Sequence, residues 1–285
     1  MVASGALAFD GLGWPWERPL VALGLIKPEL FTTVIKTLTR NPRPGNLRWW
    51  KPWSCIRLIR GGSVNKVGLT NPGVDWWCEN VAPGLDFNKY HLVGSIFGDK
   101  DELLQLTWKL SVFNLVAIEV NPSCPNTGHA HQSSEYIVDS IRALKAHTML
   151  PIIVKVSADQ DYLSIAKSLE GVVEAISLNS VPWKTAFPNG ERSPLWRLEN
   201  KVGGGSGGVS GKPAQPFNWQ AVRDLSRNTS IPVIGPSIME YDDMRKVRSV
   251  GARAVSFGAI HIRTPWKPTK FVKREMAEKA KSILQ

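Results

Sequence analysis

Eight short apolar runs recur along the chain, at residues 2–7, 32–36, 92–97, 115–120, 152–156, 173–178, 232–235 and 254–257. The intervals between them are long enough for a helix or a larger excursion. Several runs are β-branched and unbroken rather than alternating, as parallel strands covered by helices require. Amphipathic helices are expected at residues 101–113, 133–147, 162–169, 219–226 and 242–250, with a closing, basic-faced helix at 268–284. Acidic groups at Asp99, Asp101 and Glu102, and at Glu135 behind Ser133, stand where helix N-termini favour them. Strands alternating with helices predict an α/β fold, a single (β/α)8 barrel over residues 1–285, with a doubly wound open sheet as the alternative. A chain of 285 residues can close around one core.

Two segments break the repeat. Residues 40–73, rich in Pro, Arg and Trp, predict a hairpin inserted after the second strand, with residues 55–59 as one of its strands. Residues 183–215 carry Gly203-Gly-Gly-Ser-Gly-Gly208 and predict a long, mobile loop after the sixth strand, serving as a linker or as a phosphate cradle.

Composition narrows the classes. Hydrophobic residues at 43% and charged residues at 21% exclude a disordered or collagen-like chain. No stretch approaches the ~20 apolar residues of a membrane span, and the first residues lack a signal-peptide pattern, so a cytoplasmic protein without membrane attachment is expected. Thirty-five basic against 24 acidic residues give +11, which favours phosphate-bearing small molecules, anionic metabolites or nucleic acid. Without a nucleic-acid-binding motif, nucleic acid is the least expected of the three. Three cysteines suit a reducing compartment with no disulfide framework.

In a barrel of this kind chemistry belongs at the C-terminal strand ends. Those ends carry Lys36, Asn121 followed by Ser123-Cys124-Pro125-Asn126, Lys155, Asn179-Ser180, Gly235 and Gly258. Singly, a lysine there reaches solvent and an asparagine caps a turn. Together they predict an anion-friendly pocket with donors and acceptors for a flat heterocycle. Prolines stiffen the backbone around Cys124, whose thiol can accept a proton near neutrality when cations lie close. Cys55 is read as strand packing and Cys78 as helix packing beside Trp76 and Trp77. His129 and His131 lack a third ligand at matching spacing, so no metal is expected.

Asn121-Pro-Ser-Cys-Pro-Asn126 resembles the Asn-x-Ser-Cys-Pro-Asn signature of class 1 dihydroorotate dehydrogenases, and further segments agree in order along nearly the whole chain. Ala3-Ser4-Gly5 is similar to the family's first-strand segment, and Lys36-Thr37 with Arg43-Pro-Gly-Asn46 to its second. Gly62-Ser-Val-Asn65 and Gly68-Leu69-Thr-Asn71-Pro-Gly73 resemble its substrate segment. The resemblance implies an FMN-containing barrel that oxidises (S)-dihydroorotate to orotate in pyrimidine biosynthesis. Cys124 is then the base for the C5 proton, and its being cysteine rather than serine points to class 1. Lys36, Asn65, Gly68, Leu69, Asn121, Asn126, Asn179 and Ser180 are the implied substrate residues. Ala3, Ser4, Gly5, Lys36, Thr37, Asn121, Lys155 and Asn179 are implied around the flavin, with Lys155 facing N1 and O2.

The stretch Ser206-Gly-Gly-Val-Ser-Gly211 looks like the family's Gly-Gly-x-Ser-Gly turn, which together with the last two strand ends, Gly235 and Gly258, implies that Gly208 and Gly211 meet the FMN phosphate. After strand seven the chain departs from the pattern: Gly235-Pro236-Ser237-Ile238 is one residue shorter, and proline offers no amide hydrogen. Phosphate binding is therefore expected to rely on Ser237, Gly211, Gly258 and Ala259. Tryptophans at 14, 16, 49, 50 and 53 match no ordinary member; they serve packing, a subunit interface or an altered substrate lid. The rival readings are an enzyme of dihydrouracil, a tRNA-dihydrouridine synthase, and a barrel that has lost FMN. The electron acceptor stays open among fumarate, a nicotinamide-linked partner subunit and a quinone, the last disfavoured because no docking helix precedes Ala3. The family further implies a homodimer.

Overall fold

The computed structural model describes residues 1–122, 133–199 and 205–283. Its main sheet holds seven parallel strands in the order β1 (Thr32–Val34), β4 (His91–Ile96), β5 (Ala117–Val120), β6 (Ile152–Val156), β7 (Ala175–Leu178), β10 (Val233–Gly235) and β11 (Ala254–Val255). The eighth stave is a single residue. Val2 bridges both sheet edges: its N–H donates to the Thr32 carbonyl at 2.9 Å and its carbonyl accepts from Val34 N at 3.0 Å. On its other side the Ala3 N–H donates to the Phe257 carbonyl at 2.9 Å. The ring is thereby closed.

The expected strand at residues 2–7 is thus corrected to a bridge. Gly5 and Ala8 adopt φ of +74° and +61°, which no strand tolerates, so the chain turns out of the barrel immediately after Ala3. A Cβ on Gly5 would lie 2.7 Å from the Lys36 Cδ, so only glycine lets the backbone pass that close to the lysine.

The helices stand largely where periodicity put them: α3 (Lys100–Leu110), α4 (Ser134–Ala146), α5 (Tyr162–Ser168), α7 (Gln215–Asn228), α8 (Tyr241–Ser249) and α10 (Lys267–Ile283). Asp99 and Glu102 form a reciprocal capping box on α3, and Ser133 Oγ accepts from Tyr136 N at 3.2 Å on α4. The apolar faces of these helices close over the outer side of the sheet, where Leu106, Leu110, Ile141, Leu144, Val222 and Val247 are fully or almost fully buried. Helix α2 (Val74–Asn80) contributes Trp77, buried with its indole N–H on the Phe9 carbonyl at 2.6 Å. Cys78 is half-buried on α2 and Cys55 is buried immediately ahead of the inserted hairpin.

The pleat divides the inner side of the ring into two layers. Side chains two residues apart share a face. Val34, Val93, Ala117, Ile153, Ala175, Ile234 and Ala254 form one apolar cluster. Two residues further along the same seven strands come Lys36, Ser95, Glu119, Lys155, Ser177, Pro236 and Ser256. The lower layer is apolar, and the upper layer is almost entirely polar.

The two excursions meet. β2 (Ile56–Ile59) and β3 (Gly62–Asn65) form the expected hairpin, with Ile56 opposite Asn65. Strand β9 (Gly208–Gly211) pairs antiparallel with β3 and also with β8 (Val181–Pro182), giving a four-stranded sheet in the order β2, β3, β9, β8. The described part of the loop after strand six is therefore not free chain. It packs around Val64, Trp183, Leu195 and Val209. Buried Lys66 ties it down, its ammonium donating to the carbonyls of Leu198 at 2.6 Å and Gly205 at 2.8 Å. Burial pushes the Lys66 ammonium below its ordinary range.

Candidate functional site

A cavity of about 460 Å³ opens between the C-terminal rim of the parallel ring and the inserted sheet. That size suits a cofactor-bearing site. Strand ends supply Lys36, Thr37, Glu119, Asn121, Lys155, Ser177, Asn179, Ser180, Ser237, Gly258 and Ala259 to its wall. The inserted sheet supplies Ser63, Asn65, Ser210 and Gly211, and the flanking segments Ala3, Ser4, Gly5, Gly68 and Leu69. All but four of these were anticipated from sequence at this rim: the exceptions are the buried inner-layer residues Glu119 and Ser177, and Ser63 and Ser210, which were quoted only within matched segments. Cys124 and Asn126, with His129 and His131, lie outside the described residues.

Gly208 and Gly235 are expected phosphate residues that the structure sets behind the wall. Gly208 is a strand residue paired with Asn65, and its carbonyl accepts from Asn65 Nδ2 at 3.4 Å, so it aims Asn65 rather than facing the cavity. Gly235 lies under α8: a Cβ there would sit 2.5 Å from Val247 Cγ2 and 2.8 Å from Ala252 Cβ. Its glycine is a packing requirement. Gly235→Ala is expected to lower stability by about 1–3 kcal/mol through overpacking. A drop in the urea midpoint at unchanged slope checks this, and an unchanged midpoint refutes it.

The polar layer is one connected network. Ser4 Oγ donates to the Ile35 carbonyl at 2.9 Å and lies 3.0 Å from Thr37 Oγ1, which in turn is 2.9 Å from Ser95 Oγ. Ser95 donates to Glu119 Oε1 at 3.3 Å, Ser177 Oγ to Glu119 Oε2 at 2.9 Å, and Lys155 Nζ to Glu119 Oε1 at 3.2 Å. Glu119 and Lys155 are both buried. Burying either charge alone is very costly, so each requires the other. One layer higher, Asn179 Nδ2 donates to Asn121 Oδ1 at 3.3 Å, which brings the two amides together at the rim.

The shortened turn after β10 is held from both neighbouring helices. Ser237 has φ +67°. Its carbonyl accepts from Gln215 Nε2 at 2.9 Å, and its Oγ accepts from Asn218 Nδ2 at 3.3 Å. The Pro236 carbonyl accepts from the Trp219 indole at 3.0 Å. Asp243 receives the amides of Met239 and Glu240, both at 2.9 Å.

At the outer edge Trp14 and Trp16 stack at 5.3 Å with planes 3° apart, and both line the cavity along with Trp53. Trp49 and Trp50 are exposed and do not. Glu17, also in the wall, is buried, and burial raises its carboxyl from 4.5 to about 7, partly offset by the Trp14 amide at 2.9 Å. Between those values the folded chain keeps a proton that the unfolded chain has lost, so stability falls as pH rises through this window, by about 3 kcal/mol in all, and is level above it. His261, lowered from 6.5 to about 3 by burial, contributes a slope of opposite sign between those values. Glu17→Gln isolates the carboxyl: its gain in urea midpoint over the natural chain should be larger at about pH 8 than at about pH 5. An equal gain at both refutes the assignment.

Among the described residues, four buried side-chain atoms of the wall have no hydrogen-bond partner: Ser63 Oγ, Asn218 Oδ1 and both ring nitrogens of His261. Native chains rarely leave such groups unmet. Two lysines and paired amides fit a planar, amide-bearing, anionic ligand. Among the described residues no group of side chains could hold a metal ion, and no helix is long and apolar enough to cross a membrane.

Glu119, Ser95 and Ser177 were missed from sequence although a signal existed: each stands two residues beyond an apolar inner-face residue in its own run. Nothing in the sequence marks His261 or Asn218.

Comparison with known proteins gives the family of the chain. The profile of the family described as "Dihydroorotate dehydrogenase" matches residues 22–279. The chain is 30% identical over 272 residues to "Dihydroorotate dehydrogenase A (fumarate)" of Lactobacillus helveticus (strain DPC 4571), covering 92% of this chain and 83% of that one. It is 31% identical over 274 residues to "Dihydroorotate dehydrogenase B (NAD(+)), catalytic subunit" of Desulforudis audaxviator (strain MP104C), covering 93% and 83%. The corresponding subunit of Methanocaldococcus jannaschii matches at 30% over 236 residues, 79% of this chain and 73% of that one. With a closed barrel, a polar mouth and a family match over most of its length, this chain belongs to the dihydroorotate dehydrogenase family.

Proposed function

We propose that this chain oxidises (S)-dihydroorotate to orotate with FMN as its cofactor, and that the cavity at the rim receives both. The observation that carries this is the buried Lys155–Glu119 pair in a cavity walled by Lys36 and the Asn121–Asn179 amides, in a chain of this family. FMN supplies, when bound, the acceptor for the hydride that leaves C6.

The chain does the rest. Cys124, in the segment that follows Asn121, takes the C5 proton onto its sulfur. Lys155 holds the N1 and O2 edge of the ring system, and Glu119 keeps its ammonium aimed there. Lys36 and Thr37 hold the same ring from the second strand end. Asn65, Asn121, Asn179 and Ser180, joined by Asn126, fix the substrate's amides and carboxylate, with the backbone at Gly68 and Leu69 beside them. Gly211, Ser237, Gly258 and Ala259 hold the phosphate. Trp14, Trp16 and Trp53 form an aromatic edge that excludes water over a flat substrate.

The test is the visible spectrum of the purified protein before and after anaerobic addition of dihydroorotate. Bleaching of a bound flavin supports the reading. A colourless protein that takes up no FMN, or one whose flavin is reduced much faster by dihydrouracil, overturns it. The acceptor is then read from reoxidation. Fumarate acting on this chain alone indicates one route, and NAD(+) acting only with a second subunit the other. Tight, salt-sensitive binding of tRNA is not expected.

A further inference from the structure

We propose that the turn at residues 48–53, with the outermost strand of the inserted sheet, β2, beside it, docks on an anionic membrane surface. Its tryptophans enter the interfacial layer and its basic side chains meet the lipid phosphates.

The turn displays its side chains to solvent. The Lys51 N–H donates to the Arg48 carbonyl at 2.9 Å and the Ser54 N–H to the Lys51 carbonyl at 3.0 Å, two successive reversals of the backbone. Trp49 is 68% exposed, Trp50 58% and Trp53 54%. Leu58, on β2, is 59% exposed. It lines the cavity mouth together with Trp53 and with the exposed Ile262 of α9 (Ala259–Arg263). The Arg263 guanidinium fastens that helix to the hairpin through the Ile59 carbonyl at 2.8 Å. Large apolar side chains gathered in water at one rim mark a surface that meets something else.

Charge says what it meets. Between Glu29 and Asp75 the chain holds eight basic residues and no acidic one. Arg48, Lys51, Arg57 and Arg60 are exposed there, and among the described residues none of the four forms an ion pair. Unpaired cations beside exposed indoles require a partner that is anionic at its surface and apolar beneath. An anionic bilayer is both: tryptophan rings settle at the headgroup level, and each Lys or Arg near the surface adds attraction. The attachment is peripheral, with no spanning helix among the described residues.

Other occupants fit less well. A second copy seated by a two-fold axis would set Arg48, Lys51 and Arg57 against a surface of their own sign. A single-stranded nucleic acid stacks its bases on open aromatic faces. Trp49 and Trp50 stand nearly perpendicular, at 82°, and offer no shared platform, while Leu58 and Ile262 gain nothing from stacking. Trp49 and Trp50 lie outside the cavity wall, on a turn, where a bilayer receives them without a matching shape.

The test is co-sedimentation of the natural full-length chain with vesicles of phosphatidylcholine alone and of phosphatidylcholine mixed with phosphatidylglycerol. Binding is expected only to the anionic vesicles and should weaken as salt is added. Trp49→Ser with Trp50→Ser should weaken it about 10-fold or more, through the loss of two apolar insertions. Arg48→Gln with Lys51→Gln and Arg57→Gln should weaken it about 100-fold, or about fivefold for each charge. Both variants should keep the urea midpoint of the natural chain, because the substituted side chains are exposed, so lost vesicle binding is not lost folding. A natural chain that does not sediment with anionic vesicles overturns the proposal, as does equal binding to neutral ones or binding that the tryptophan variant leaves unchanged. Self-association of the chain, or binding of oligouridine, in place of vesicle binding assigns the face to another occupant and likewise overturns it.

Discussion

Cys124→Ala slows anaerobic reduction of the flavin by dihydroorotate about 10²- to 10⁴-fold, the usual contribution of a general base, while FMN stays bound. The argument is one of proton accounting. Loss of hydride from C6 leaves a proton on C5 that must go to a basic atom, and water in a sheltered cavity is a poor and badly oriented acceptor. Alanine removes that atom and nothing that holds the cofactor. Single-turnover reduction at the natural rate would remove Cys124 from the mechanism.

Glu119→Ala is expected to cost about 3–5 kcal/mol of folding stability, because it leaves the buried Lys155 ammonium without its counter-charge. Ser95 and Ser177 lose their shared acceptor at the same time. Retained FMN should fall too, since Glu119 no longer fixes the position of Lys155 in the wall. The double variant Glu119→Leu with Lys155→Met separates the two effects: an apolar pair of similar volume should recover most of the stability and none of the flavin binding. Urea midpoints and flavin content measure both arms. A single variant as stable as the natural chain would show that the pair is not mutually dependent.

Much of the barrel was legible. Each of the eight runs contributes to the ring, and Asp99 and Ser133 cap the helices they precede, because strand and helix periodicity and capping are local properties. The strand ends were equally readable: Lys36, Asn121, Lys155, Asn179 and Gly258 reach the cavity because parallel strands deliver their C-terminal residues to one rim. The first run was over-read, since its apolar character survives although Gly5 and Ala8 take φ values that end pairing after Ala3. The glycines expected at the phosphate were half-read. Gly211 faces the cavity, whereas Gly208 and Gly235 are glycine because a strand and a helix press against them, and composition does not distinguish the two reasons.

The sequence by itself determined the alternation of strand and helix, the polar strand ends and the Asn-Pro-Ser-Cys-Pro-Asn segment, because spacing along the chain fixes which side chains share a face and which end of a strand they occupy. Only the tertiary structure decided that the two irregular excursions zip into one sheet over the mouth and that Glu119 neutralises Lys155. Those are contacts between residues 36 positions apart for Glu119 and Lys155 and 143 for Asn65 and Gly208, and their energies depend on burial and mutual distance, which no local pattern encodes.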